Sequence, residues 1–80
     1  MIFDEFEIVS PITNAETIAR GRGIRQLQQL QNEFGGKNWR KLKGQAIVKL
    51  RNEKLYQAEL HWYEAHGVGK VKIKIKRLLD

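Results

Sequence analysis

Leu55-Tyr56-Gln57-Ala58-Glu59-Leu60-His61-Trp62-Tyr63 and Lys70-Val71-Lys72-Ile73-Lys74-Ile75-Lys76-Arg77 alternate apolar and polar residues with a period of two. That period belongs to strands with one face buried and the other wet. Setting Tyr63 against Lys70 across the intervening loop places Trp62 opposite Val71, His61 opposite Lys72 and Leu60 opposite Ile73. Every apolar residue then falls on one side. A slip of one residue would set apolar side chains against lysines, so the pattern specifies a register. The two stretches predict a hairpin of antiparallel strands over 55–63 and 70–77.

Working outward, Gln45 to Arg51 repeats the alternation with Ala46, Val48 and Leu50, and predicts a third strand. Asn52-Glu53-Lys54 makes the turn that joins it to the hairpin. Residues 44–79 are thus expected to form an antiparallel sheet. Upstream the period changes. Thr13-Asn14-Ala15-Glu16 has the spacing of a capping box, which predicts a first helix over 14–20. Gly21-Arg22-Gly23 interrupts it, and Ile24, Leu27, Leu30 and Phe34 predict a second helix over 24–34, closed by Gly35-Gly36. Lys37 to Lys43 is a basic connector in which Trp39 anchors the chain to the core or stacks on a base. The fold class expected is α+β: a helical segment over 13–36, kinked or split in two, packed on one face of a sheet of three to four strands. Residues 1–12 form an acidic N-terminal segment that is a strand, a helix or a tail.

Eighty residues make a single domain, 1–80. There is no cysteine, which removes disulfide frameworks and thiolate metal sites. No apolar run reaches the roughly 20 residues of a membrane span, and the acidic start is unlike a signal peptide, so a cytoplasmic protein without membrane contact is expected. Net charge is +6 and unevenly spread. The first ten residues hold Asp4, Glu5 and Glu7 and no base, so the remainder carries about +9. Such a balance points to an anionic partner, most often nucleic acid, or else serves solubility alone.

On this reading the face of the sheet away from the helices carries Lys49, Arg51, Gln57, Glu59, His61, Tyr63, Lys70, Lys72, Lys74 and Lys76. Lys49, Arg51, Tyr63 and the four lysines in register are candidate nucleic-acid contacts. The competing role of the lysine row is to blunt an edge strand. Glu59 and His61 are two apart on one strand and point the same way. In a cationic field they suit acid–base work on a phosphodiester, with the 2′-hydroxyl of RNA as nucleophile. They equally suit an ordinary pairing of side chains on a sheet. His66, in the loop Glu64-Ala65-His66-Gly67-Val68-Gly69, is the substitute acid–base group if His61 is out of reach. Two histidines near Glu59 or Glu64 match no standard zinc spacing, so no metal or cofactor is implied.

Helices followed by a basic-faced antiparallel sheet, over about residues 13–79, resemble the small ribonuclease toxins of the barnase–EndoU–colicin–RelE group. The stretch from Glu59 to Lys70, together with Gly36-Lys37-Asn38-Trp39-Arg40-Lys41-Leu42-Lys43-Gly44, also resembles the ends of a set of bacterial proteins. Some of these look like C-terminal modules of polymorphic toxins. The resemblance implies a metal-independent endoribonuclease of toxin type, but it carries no catalytic residue over by position. The expected function is RNA binding, with cleavage through Glu59, His61 or His66. The alternatives are a non-catalytic nucleic-acid-binding module and a domain that docks an acidic protein partner, as an antitoxin would be.

Overall fold

A computed structural model describes residues 5–79. Residues 1–4 of the acidic N-terminal segment lie outside the described part. The chain is mostly strand: β1 Phe6–Ile8, β2 Thr13–Arg20, a 3₁₀ turn at Gly21–Gly23, α1 Leu27–Phe34, β3 Lys37–Leu50, β4 Leu55–His66 and β5 Gly69–Leu78. All pairings are antiparallel, in the order β1-β3-β4-β5, with β2 also paired to β3.

This overturns the expected helix-first architecture. Residues 13–20 form an edge strand, not a helix: Thr13 faces Gln45, Glu16 faces Lys43 and Arg20 faces Arg40 on β3. Backbone pairing with a long neighbour outweighs the capping-box signal, and Thr17 and Ile18 are β-branched residues that favour a strand. The second expected helix keeps only its last eight residues. The connector 37–43 is strand as well, so β3 runs for 14 residues. β1 and β2 are two pieces of one edge separated by Val9-Ser10-Pro11-Ile12. Ser10 Oγ accepts from the Ile47 amide at 2.8 Å, so the side chain fills a ladder position that the break would leave empty.

A straight 14-residue strand would span about 43 Å at 3.3 Å per step, longer than the molecule's longest axis of 36 Å. The sheet therefore coils, and the bend shows in its core. Leu42, Ala46, Val48, Leu50, Ala58, Leu60, Trp62 and Ile75 form one buried cluster. Phe6, Ile8 and Ile12 from one edge and Ile73 and Leu78 from the other pack on the same cluster. No described helix covers this face, yet Val48, Ala58 and Leu60 have no exposed surface. The curl of the sheet excludes water in place of a second layer. Gly44 permits it: a Cβ there would lie 2.7 Å from Ile12 Cγ2 and 3.0 Å from Trp62 Cη2.

The helix occupies the opposite, outer face, at one end. Leu30 of α1, Ile24, Trp39, Tyr63 and Ala65 make a second buried cluster. Trp39 Nε1 donates to the Gly35 carbonyl at 2.9 Å, and the Tyr63 hydroxyl donates to Gln26 Oε1 at 2.8 Å. Of the two roles expected for Trp39, the geometry is that of the anchor: it is 1% exposed. Gly36, at a φ of +79°, passes so near Val68 and Ala65 that a Cβ would lie 2.9 Å from Val68 Cγ2.

The register of the final hairpin also differs from the expected one. Tyr63 faces Val71, Glu64 faces Lys70 and Ala65 faces Gly69. Two irregularities then shift β5, one between Tyr63 and His61 and one between Leu60 and Glu59. His61 faces Lys74, Leu60 faces Ile75, and Glu59 faces Arg77. Lys72 sits in the first, at a φ of +54°. Both are bulges: each leaves an extra residue in β5 and changes which side the following side chains take.

Candidate nucleic-acid interface

The bulges break up the lysine row. Lys70, opposite Glu64, lies on the inner face. Lys72 turns to α1, where its Nζ lies 3.1 Å from Glu33 Oε2 and 5.9 Å from the centre of the Phe34 ring. Lys74, opposite His61, is on the outer face, and Lys76 is exposed at the second bulge. The expected single basic face is thus divided between two sides. Lys49 pairs with Glu53 at 3.0 Å and Arg51 with Glu5 at 3.4 Å, which reduces the charge each presents. Tyr63 is 5% exposed beneath α1. Burial pushes its hydroxyl above the ordinary value of 10.0, so it stays neutral.

Glu59 and His61 do come together. His61 Nε2 donates to Glu59 Oε2 at 2.8 Å, and Arg77 Nη2 lies 3.1 Å from Glu59 Oε1. The His61 hydrogen bond, helped by the Arg77 charge, holds the Glu59 carboxyl below the ordinary 4.5. The pair is largely enclosed, with side-chain exposures of 10% for His61 and 14% for Glu59. Arg77 belongs to the strand that the second bulge reorients, so this network ties the end of β5 to β4. His66 does not join it. It lies five residues further along β4, about 17 Å at the strand rise, and on the opposite face.

A different constellation surrounds His66. Arg20 faces Arg40, Arg40 faces Glu64, and Glu64 faces Lys70. Directly opposed residues share a face of the sheet, so these four form one row across β2, β3, β4 and β5 at the end of the inner face. Three interstrand steps give it a width of about 14 Å. Arg40 Nη2 bonds Glu64 Oε2 at 2.8 Å, while Trp62 Nε1 donates to Glu64 Oε1 at 2.9 Å. The carboxylate is held from both sides and in turn fixes the guanidinium. Arg20, Asn38, Arg40, Glu64, Ala65 and His66 line an open pocket of about 480 Å³ at this row. Arg20 and His66 are exposed, and neither Arg20 nor Lys70 has a carboxylate within ion-pair distance among the described residues.

Reading the sequence missed Arg20, Asn38 and Arg40 because it placed the first in a helix and the others in a connector. The signal that could have found them is the continuation of alternation upstream of Gln45, where Leu42 and Gly44 already keep the parity of Ala46 and Val48.

Among the described residues no group of three or more histidines, cysteines or carboxylates is arranged to hold a metal ion, and no helix is long and apolar enough to cross a membrane. No protein-family model matches the chain, and no curated protein or solved structure is significantly similar to it.

Proposed function

We propose that this domain binds single-stranded RNA, with the backbone phosphates held by the Arg20–Arg40–Lys70 row at the end of the inner face. The observation that carries the reading is the juxtaposition of Arg20 and Arg40 in an open pocket, with one guanidinium oriented by Glu64. Guanidinium groups bind phosphate oxygens in a bidentate fork, and an oriented one loses less freedom on binding. Asn38 and His66 on the rim supply hydrogen-bonding groups for a base or a 2′-hydroxyl. Single strands are favoured over duplexes because their unstacked bases can turn into a pocket such as this one, whereas a duplex keeps its bases paired and stacked.

The test is fluorescence anisotropy with a ten-nucleotide single strand, comparing the R20Q/R40Q variant with K72A. Glutamine at position 40 retains a donor for Glu64, so the fold is preserved. The double variant is expected to weaken binding at least tenfold and K72A to change it less than twofold. Equal affinities for all three proteins would contradict the reading.

Cleavage is a second reading, and one observation favours it: His66 shares the pocket with both arginines. An exposed imidazole beside a clamped phosphate can take the proton of the 2′-hydroxyl as that oxygen attacks phosphorus, while the P–O5′ bond breaks and the departing 5′-oxygen takes a proton from water. His61, enclosed and tied to Glu59, is out of reach of such a phosphate. Incubation with RNA in EDTA, followed by analysis for 2′,3′-cyclic phosphate ends, separates the enzyme from the pure binder.

A further inference from the structure

Arg20 and Arg40 point into the inner-face pocket, but their chain neighbours Ala19 and Lys41 line a second one on the outer face. Ile18, Ala19, Gly23, Ile24, Arg25, Gln26 and Lys41 enclose about 340 Å³ there. The two pockets lie back to back across β2 and β3. β2 is an edge strand, paired on one side to β3 and otherwise open among the described residues. At the end of that edge strand, directly after Arg20, the 3₁₀ turn Gly21–Gly23 carries the exposed Arg22.

The outer pocket has a chemistry of its own. Its rim carries Arg25 and Lys41, and no carboxylate lines it. Neither Arg22, Arg25 nor Lys41 has an ion-pair partner among the described residues. Lys41 is steadied by lying 5.7 Å from the centre of the Tyr63 ring. The pocket's accessible surface is mostly polar, with Ile18, 41% exposed, as the main apolar contribution. A polar groove with cations on its rim suits the phosphate backbone of a single strand, with Ile18 beside it for contact with a base.

We infer that a bound RNA strand turns around the β2 edge, passing from the Arg20–Arg40 pocket over Arg22 into the groove lined by Arg25 and Lys41. The inference rests on the RNA-binding reading and adds a path and a second subsite to it. The turn sets a length requirement. A fragment of about three nucleotides fills the inner pocket alone, whereas one of about ten reaches both, within the usual range of single-strand site sizes.

The experiment measures binding of three- and ten-nucleotide single-stranded RNAs to the full chain, wild type against R22A/R25A and R20Q/R40Q, over a range of salt. Arg22 and Arg25 are exposed and unpaired, so their loss leaves the core intact. The expected result is that R22A/R25A weakens the ten-mer about tenfold and flattens its log–log salt slope by about 1.4, two contacts at about 0.7 each. The three-mer should stay within about twofold of wild type. R20Q/R40Q should weaken both lengths. If R22A/R25A leaves the ten-mer unchanged, or weakens both lengths alike, the path around the edge is overturned while the inner site stands. If wild type binds neither length, the RNA reading itself falls and the path with it.

Discussion

Arg40 and Glu64, opposed on adjacent strands, are joined at 2.8 Å, and the second oxygen of the carboxylate accepts the Trp62 indole N–H at 2.9 Å. Trp62 is 1% exposed and central to the inner core. The surface cation is thus oriented by a residue that also satisfies a buried donor, which couples the site to the fold.

Replacing Glu64 separates the two duties. E64L leaves the Trp62 N–H without an acceptor and should lower stability by about 1–3 kcal/mol, measured by urea unfolding. E64Q keeps an acceptor, should fold nearly as well, and removes a negative charge from the phosphate row. RNA affinity of E64Q should therefore change by no more than a few-fold, the lost negative charge favouring phosphate and the freed Arg40 guanidinium opposing it. A large loss of affinity with normal stability would place Glu64 in direct contact with the ligand.

Gly44 is predicted to tolerate no side chain. G44A sets a methyl against Ile12 and the Trp62 ring and should cost about 1–3 kcal/mol by overpacking. Adding I12A should recover part of that loss, a coupling that a double-mutant cycle measures directly.

Glu59 gives the protein an acid-sensitive contribution with a definite sign. Its carboxyl titrates below the ordinary 4.5 in the folded state. The stability it supplies is therefore present above pH 4.5 and lost as pH falls through the folded value. E59Q should be less stable than wild type at pH 7, and the gap should close in stronger acid. A gap that does not change between pH 7 and pH 3 would remove the Glu59–His61–Arg77 network as its cause.

Lys72 and Lys74, alike in sequence, should behave differently. K72A loses the Glu33 ion pair and the contact with Phe34, and should reduce stability by up to about 1 kcal/mol, the scale of a half-exposed pair. K74A removes a cation with no carboxylate partner among the described residues and should leave stability unchanged within about 0.5 kcal/mol. Thermal melts of the two variants settle the order.

That difference shows where the sequence was legible. The alternation at Leu60, Trp62 and Ile75 located the inner core, because burial on one face imposes a period of two. It could not reveal the bulges at Lys72 and Lys76. A bulge answers the coiling of the whole sheet, and four lysines in regular alternation carry no local mark of it. Tyr63 was read as an exposed contact and Val71 as a partner of Ile73 in the inner core, yet both pack beneath α1: at this end both faces of the sheet are covered, one by its own curl and one by α1, so simple alternation fails. Thr13 to Arg20 was misread as helix because its strand character comes from pairing with β3, a partner 25 residues away at Thr17 and Leu42. The pocket inherited that error. Its two arginines lie on strands that the local pattern did not reveal, whereas His66 was visible as a polar residue beside two glycines.

The central claim is that the Arg20–Arg40–Lys70 row neutralises phosphates, and the salt dependence of binding tests it most directly. Binding of a ten-nucleotide single-stranded RNA should fall with salt on a log–log slope of about −2 or steeper, at about −0.7 for each phosphate contacted. The triple variant R20Q/R40Q/K70Q should flatten that slope by about 2 while unfolding in urea at nearly the wild-type midpoint. A wild-type slope near zero, or a triple variant with the same slope and affinity as wild type, would contradict the account.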